Sequence, residues 1–591
     1  MSLINPNIMK AKDYFRSQSS VLHRQYEALR DFFYKDQKAS VVAEKYGYQL
    51  SSFYSLIRDF KKHLKENPDE DYFFREIKKG RKPLDNKEQD DFIVSMRKQN
   101  FSIPEIISML QAKGWKASDG YVYNLLQKEG FARLPRRSKK EKSEVTIKID
   151  APRAEHWEDK KESFSSDTVA ILSFLPLIKK YDIDKVIQNS AYPETKDISR
   201  LSSILSFLAL KLSNIRRYSV DDLWCMNRGL GMFAGLNVLP KASWFTSYSH
   251  RVTTDMNLKL LKDLHQIWQE NNLLSDTANL DFTTIPYWGD DAHLENNWSG
   301  KRNKALPSIL AVLAQDPDSG IIDYGHADVR HKNESGVVLE YLDFYQAGDS
   351  KRDLKYLVFD SKFTNYENLA KLDDDYIKFI TIRRRGKNIV ESINKIPKED
   401  WKIIRVDANG NKKRTLRICD QRITLNGYLN KDGTRKEIRQ IVITGNGKIK
   451  PALIITNDFN ISVETVVRKY ARRWLVEKVI SEQIQFFHFN NVSSSMVIKV
   501  DFDLTMTILA HNLYRLLALE LGRYSHFTSL RLFEKFILNG GFVDVEGDTI
   551  TVRLKKKRDL PLMLEILNDF QDQKYEWLHH KKIVFEGAST S

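Results

Sequence analysis

Near residue 278 the hydrophobic period of the chain changes, and no other feature restricts the fold as much. Before it, apolar residues recur at helical spacing, over 169–177 and again over 201–212. After it come short β-prone runs at 279–284, 308–314, 320–324, 356–359 and 379–382, separated by stretches of helical character. Strands that alternate with helices predict an α/β domain. From 402 to 456 the runs 416–419, 422–425 and 437–444 follow one another with turns between them and no helical pattern, which predicts a β-rich insertion within that domain. A long helix is expected from Val463 to beyond Phe487.

A chain of 591 residues is too long for one hydrophobic core, so further modules are expected upstream. Residues 20–65 read as helices with a short break. In Ala43-x3-Gly47-x5-Phe53, a small residue permits close crossing, a glycine can turn the chain at positive φ, and Phe53 with Leu56 anchors the next helix. That is the pattern of a helix-turn-helix, whose outward residues Ser51, Ser52, Tyr54, Ser55 and Arg58 would face a major groove. On spacing alone a plain helical hairpin fits equally well. A second helical unit spans 84–132, with apolar faces at Ile103, Ile106, Ile107 and Leu110 and at Tyr121, Val122, Leu125 and Leu126. Between the two, Lys78-Lys79-Gly80-Arg81-Lys82-Pro83 can lie along DNA phosphates in a minor groove or simply be a solvated connector.

The net charge of +16 favours nucleic acid as the partner. The only two cysteines, Cys225 and Cys419, lie far apart, which excludes a disulfide framework and a zinc finger. No leader or membrane-spanning pattern is read, so a cytoplasmic, nucleoid-associated protein is expected.

Three acids stand out against this background. Asp281 interrupts the β-prone run Asn279-Leu280-Asp281-Phe282-Thr283, where a charge is costly unless it has work to do. Asp360 ends the apolar strand Tyr356-Leu357-Val358-Phe359, at the carboxyl end where α/β sheets hold ligands. Taken singly, each could be an ordinary strand-end or turn residue. The third motif is Tyr470-Ala471-Arg472-Arg473-Trp474-Leu475-Val476-Glu477, whose spacings of three and four place Tyr470, Arg473 and Glu477 on one helical face. Arg473 can fork onto a phosphate and Tyr470 can donate one hydrogen bond, with Glu477 left as a metal ligand. Glu482, five positions on, lies roughly 140° round the helix, and Asp290 and Asp291 follow Gly289 in an expected loop. These three are the rivals.

These residues resemble the insertion-sequence transposases of the DDE class, which have an RNase H-like core and a Tyr-x2-Arg-x3-Glu-x6-Lys signature. The resemblance covers roughly 200–530. It implies that Asp281, Asp360 and Glu477 bind Mg²⁺, for which Mn²⁺ can substitute, and that Tyr470 and Arg473 position the phosphate at the transposon end. The signature's final lysine falls on Ile484, leaving Lys478 or Lys499 as substitutes.

The expected organisation is therefore a helix-turn-helix unit (1–75), a second DNA-binding helical unit (84–132) with Arg58, Arg81 and Lys82 as DNA contacts, and a basic flexible linker (133–164). A helical scaffold for dimerisation (165–277) follows. The catalytic core lies over 278–400 and 458–530, split by the insertion at 401–457, and the C-terminal region is 531–591. The reaction implied is cleavage at terminal inverted repeats and strand transfer on double-stranded DNA, by a homodimer in the synaptic complex. An inactive DNA-binding regulator and a nuclease that cuts without joining stay open as alternatives. Trp288 and Trp298 are read as core residues ahead of base-stacking ones. His293, His488 and His511 are read as structural. The runs 383–385 and 553–558 are read as DNA-backbone contacts or solvated faces.

Overall fold

The computed structural model describes residues 20–68, 71–73, 87–98, 101–131, 154–215, 222–286, 294–299, 304–346, 354–408, 412–445, 450–489 and 497–588. The chain divides into two compact units, Met1–Ile147 and Lys148–Ser591.

In the first unit, α1 (Val21–Phe33), α2 (Ala39–Lys45) and α3 (Leu50–Glu66) enclose Leu29, Val42, Ala43, Phe53 and Ile57. The Ser20 side chain accepts from the backbone N–H of His23 and satisfies an otherwise open donor at the start of α1. Gly47 turns the chain between α2 and α3 at φ +68°, a conformation that costs glycine little. Ile57 joins Phe53 in the core as an i,i+4 pair, and Leu56 packs against that core partly buried. Ser51, Ser52, Tyr54 and Arg58 are exposed, and Arg58 is paired with its neighbour Asp59.

A second trio, α4 (Lys87–Lys98), α5 (Ile103–Ala112) and α6 (Asp119–Lys128), packs Ile93, Ile106, Leu110, Val122 and Leu126 together. A Ser102/Glu105 capping box starts α5. Arg81 and Lys82 lie outside the described residues.

Asp31 is fully buried in the first trio and accepts from Lys35 (2.6 Å), Lys45 (2.5 Å) and the Tyr46 hydroxyl (2.7 Å). Burial pulls its pKa up, but the two ammonium groups and the phenol outweigh it and hold the carboxyl well below the usual range. A depressed native pKa stabilises the fold above the unfolded value, about 4, and that stability is lost as pH falls below it. Asp31→Asn is expected to destabilise this unit by about 1–3 kcal/mol at neutral pH and to flatten its acid dependence. Acid titration of the unit's hydrogen-exchange protection checks this, and an unchanged acid limb would refute it.

The second unit is built on a ten-stranded sheet. A short strand, β1 (Glu162–Ser166), comes first but belongs elsewhere. The sheet comprises β2 (Thr277–Pro286), β3 (Asn296–Ser299), β4 (Lys304–Gln315), β5 (Ile322–Val329), β6 (Tyr356–Phe359), β7 (Lys378–Ile382), β8 (Lys402–Ala408), β9 (Lys412–Leu429), β10 (Arg435–Thr444) and β11 (Ala452–Thr456). Its centre reads β5-β4-β2-β6-β7, with β4 antiparallel to both β5 and β2, and β2, β6 and β7 mutually parallel. On one face Leu280, Val312, Leu357 and Phe359 pack with residues of the helices at Val337–Gln346 and Tyr366–Asp374. On the other, Ile285, Ile309 and Leu313 meet Leu261, Val476, Leu504 and Ile508. Those four come from α8 (Thr254–Glu270), α10 (Trp474–Gln485) and α11 (Val497–Glu520); α7 (Arg200–Leu212) packs behind α11, and α9 (Val463–Arg472) precedes α10. No described helix is long and apolar enough to cross a membrane.

Four sequence expectations change here. The β-rich insertion shares one sheet with the rest of the α/β domain, and two of its expected strands merge. Its strands continue the central sheet through β11, which pairs antiparallel with β7, and the two runs read at 416–419 and 422–425 are one strand, β9. The long helix expected from Val463 breaks at Arg473 into α9 and α10, where i→i+3 bonds replace the α ladder (Arg473 N to Tyr470 O, 3.2 Å; Val476 N to Arg473 O, 3.0 Å). The linker drawn at 133–164 ends early. Trp157 is buried and β1 pairs with β12 (Gly541–Glu546) in a five-stranded C-terminal sheet completed by β13 (Thr549–Leu554), β14 (Lys574–Tyr575) and β15 (Lys581–Gly587). Trp298, read as a core residue, is 54% exposed because side chains alternate along β3 and Asn297 is the one turned inward.

Candidate active site

Residues of one strand face alternate every second position. On β2 the set Thr277, Asn279 and Asp281 points to the face that α9 and α10 cover, and each of the three is bonded to the segment 469–473. Lys469 Nζ donates to Thr277 Oγ1 (2.8 Å), Asn279 Nδ2 donates to the Arg472 carbonyl (3.3 Å), and Arg473 Nη1 meets Asp281 Oδ2 at 2.5 Å. This polar stripe explains how a strand buried on both faces tolerates three polar side chains. It was legible as the alternation Thr277, Asn279, Asp281, although only the aspartate drew attention in the sequence.

Asp281 and Asp360 come together. β2 and β6 run parallel with Leu280 opposite Phe359, and one further step along that register sets Asp281 level with Asp360. Neighbouring strands lie about 4.8 Å apart, so two carboxylates project side by side on one face of the sheet. Asp281 is 8% exposed, and its buried ion pair with Arg473 supplies the countercharge that such a position needs. Asp360 is half-buried and begins the turn at Ser361–Phe363. The Phe363 ring in that turn stacks on Phe282 of β2 at 3.9 Å and ties the turn to that strand.

Tyr470 reaches the same point from α9. The Arg473 guanidinium lies 5.6 Å from its ring centre. Burial pushes the phenol up to about 12; Arg473 opposes that shift, while the nearby charges of Asp360 and Asp281 add to it. Its hydroxyl therefore stays protonated across the working pH range and can donate. At the junction of α9 and α10 Arg473 keeps right-handed helical dihedrals (φ -53°, ψ -33°) and its guanidinium reaches Asp281. Glu477 falls in the first half of α10, the helix that packs against β2 and β4; its side chain lies outside the described residues.

The rivals separate. Glu482 is engaged elsewhere, its carboxylate accepting from the backbone N–H of Ser529 at the start of a short helix. Asp290, Asp291, His293 and Trp288 lie outside the described residues. His511 is buried and meets the Gly320 carbonyl at 3.1 Å, and His488 lies against the Asn214 carbonyl. Lys478 is exposed, whereas Lys499 is buried. The arginine run is structural in part. Arg383 donates to Gln440 and Arg385 to the Pro451 carbonyl, while Arg384 donates to the Ser361 carbonyl beside Asp360. In the C-terminal run Arg553 is paired with Asp544 and Glu586.

Comparison with known proteins places this geometry within a matched domain. The model of the transposase DDE domain matches residues 277–513, from the start of β2 into α11. No curated protein matches the chain. Among solved structures, the cryo-EM structure of the piggyBac transposase synaptic complex with hairpin DNA is similar at 12% identity and a TM-score of 0.32, over 62% of this chain and 80% of that one. Asp281, Asp360, Tyr470 and Arg473 all fall within the matched segment, and residues 277–513 of this chain are a transposase DDE domain.

Proposed function

We propose that this transposase binds the terminal inverted repeats of its element through the N-terminal helical units and cuts and joins DNA at a site made by Asp281, Asp360 and Glu477. The observation that carries the reading is the level placement of Asp281 and Asp360 on adjacent parallel strands, with Arg473 and Tyr470 brought to the same place. The strand order β5-β4-β2-β6-β7 supports an RNase H-like core. The turn at Gly47 and the exposed face of α3 with Arg58 support a helix-turn-helix, and Arg81 and Lys82 are proposed as further DNA contacts. A homodimer on paired ends fits joining, which needs two ends held together.

The donor set suits hard divalent cations. Both described acids offer carboxylate oxygens, and the charge that Arg473 now balances on Asp281 could equally be balanced by Mg²⁺ or Mn²⁺. Asp281, Asp360 and Glu477 would hold such ions, which lower the pKa of an attacking oxygen and stabilise a leaving one. The chain's own side chains do the rest. Arg473 presents a planar fork to a non-bridging phosphate pair, and Tyr470 donates its retained proton to the same group. No covalent protein–DNA link is required, and a trapped phosphotyrosine would contradict this scheme.

The test is cleavage and strand transfer by the whole protein on DNA carrying the element's own ends, with Mg²⁺ and target DNA supplied. Cut ends and joined products are expected. Cutting without joining would favour a nuclease, and end binding without either reaction would favour a regulator.

A further inference from the structure

The loop 457–462 joins β11 to α9 and is held from three directions. Asn457 donates to Asp373 (2.8 Å) and to the Ile377 carbonyl (3.0 Å), and accepts from the backbone N–H of Phe379 (2.9 Å). The Asp458 carboxylate accepts from the backbone N–H groups of Asn460 (2.9 Å) and Ile461 (3.3 Å), and from the Tyr356 hydroxyl (2.6 Å). Tyr356 opens β6, the strand that ends at Asp360.

The third hold comes from the β extension. Arg439 on β10 is buried, and its Nε and Nη2 grip the two oxygens of Asp420 on β9 at 3.0 and 2.8 Å. Its Nη1 crosses to the loop and donates to the carbonyls of Asp458 (3.2 Å) and Ile461 (2.6 Å). One guanidinium thus ties two strands outside the five-stranded centre to the residues from which α9 starts.

We infer that Arg439, braced by Asp420, is a positioning residue for catalysis: the β extension sets the angle at which α9 delivers Tyr470 and Arg473, and then α10, to Asp281 and Asp360. The inference rests on the reading of α9 and α10 as the catalytic helices. Leverage is its physical basis. Ten residues separate Val463 from Arg473, about 15 Å at 1.5 Å per residue, so a tilt of roughly 4° at the loop moves Arg473 by about 1 Å. A misplacement of that size can cost on the order of a hundredfold in rate. Lys469 and Asn279 hold the far end of α9 on β2, and Arg439 holds the near end. A lysine cannot replace the guanidinium, because its single ammonium cannot grip a carboxylate bidentately and reach two carbonyls as well.

The test uses the full-length protein and DNA carrying the element's ends. Single-turnover cleavage is followed across a Mg²⁺ series for Arg439→Gln, Arg439→Lys, Asp420→Asn, Tyr356→Phe and Glu477→Gln. Arg439→Gln is expected to cut about ten- to a hundredfold more slowly and to need several-fold more Mg²⁺, with end binding within about twofold of the parent. Asp420→Asn and Tyr356→Phe should shift both quantities the same way by less, and Arg439→Lys should restore only part. A general loss of stability would lower the active fraction without changing the Mg²⁺ requirement. Should Arg439→Gln fail to fold, Tyr356→Phe decides, since it removes one hydroxyl and keeps the ring. An unchanged Mg²⁺ requirement in the folded variants, with Glu477→Gln inactive, overturns the positioning role alone. Cleavage by Glu477→Gln overturns the catalytic-helix reading itself.

Discussion

Asp360→Asn is expected to abolish DNA cleavage, by about a thousandfold or more, while leaving stability and end binding close to those of the parent protein. The magnitude follows from the several kcal/mol that divalent ions contribute to a phosphoryl-transfer transition state, at about 1.4 kcal/mol per factor of ten. Asp360 is the cleanest of the three acids to test because it is half-buried at a strand end with solvent beside it. Asp281→Asn should be as inactive but also less stable. It exchanges a buried carboxylate for an amide and so removes the negative half of the ion pair with Arg473, whose side chain is only 5% exposed. The pair therefore gives an internal control. Thermal unfolding of the second unit should fall for Asp281→Asn and hold for Asp360→Asn, while cleavage on end DNA is lost in both. Retained cleavage by Asp360→Asn would remove the two-strand carboxylate site from consideration.

Phe53→Ala is expected to unfold the first helical trio within the intact chain. Phe53 is fully buried, stacked on Tyr48 at 5.9 Å and edge-on to Phe32 at 5.8 Å. Truncating such a ring costs about 3–5 kcal/mol, against the low stability expected of a core this small. Hydrogen exchange on the full-length protein should show lost protection across α1–α3 and unchanged protection in β2, β4 and β6, which belong to the other compact unit. Specific end binding should fall with the trio. Arg58→Ala, on the exposed face of α3, should by contrast weaken end binding and leave protection intact. Full protection of α3 in Phe53→Ala would mean that the trio's stability comes from elsewhere.

Much of this protein was legible in local pattern. The two-residue period and apolar runs announced strands at β2, β4, β6 and β7, because side-chain alternation and burial are written directly into composition. The small, glycine and aromatic positions at Ala43, Gly47 and Phe53 announced a tight turn between helices for the same reason. Asp281 and Asp360 could be chosen because a carboxylate within or at the end of an apolar strand is costly without a purpose. What those rules could not supply was pairing. That β2 and β6 are neighbours in a register that levels the two aspartates depends on a contact between residues some eighty positions apart. That Arg473 reaches Asp281 depends on the packing of α10 against β2.

The β extension shows the same division most clearly. Its strands could be read from turns and β-branched residues, but their joining to β7 could not, since any edge strand offers the same backbone hydrogen bonds. Arg439 and Asp420 drew no attention among so many charged residues, because a buried bidentate pair and a solvated one are identical in sequence. Local periodicity and the chemistry of single residues determined which elements form and which acids are candidates. The tertiary structure alone decided which of them meet, because hydrogen-bond register and helix packing are relations between distant segments and have no signature in either segment by itself.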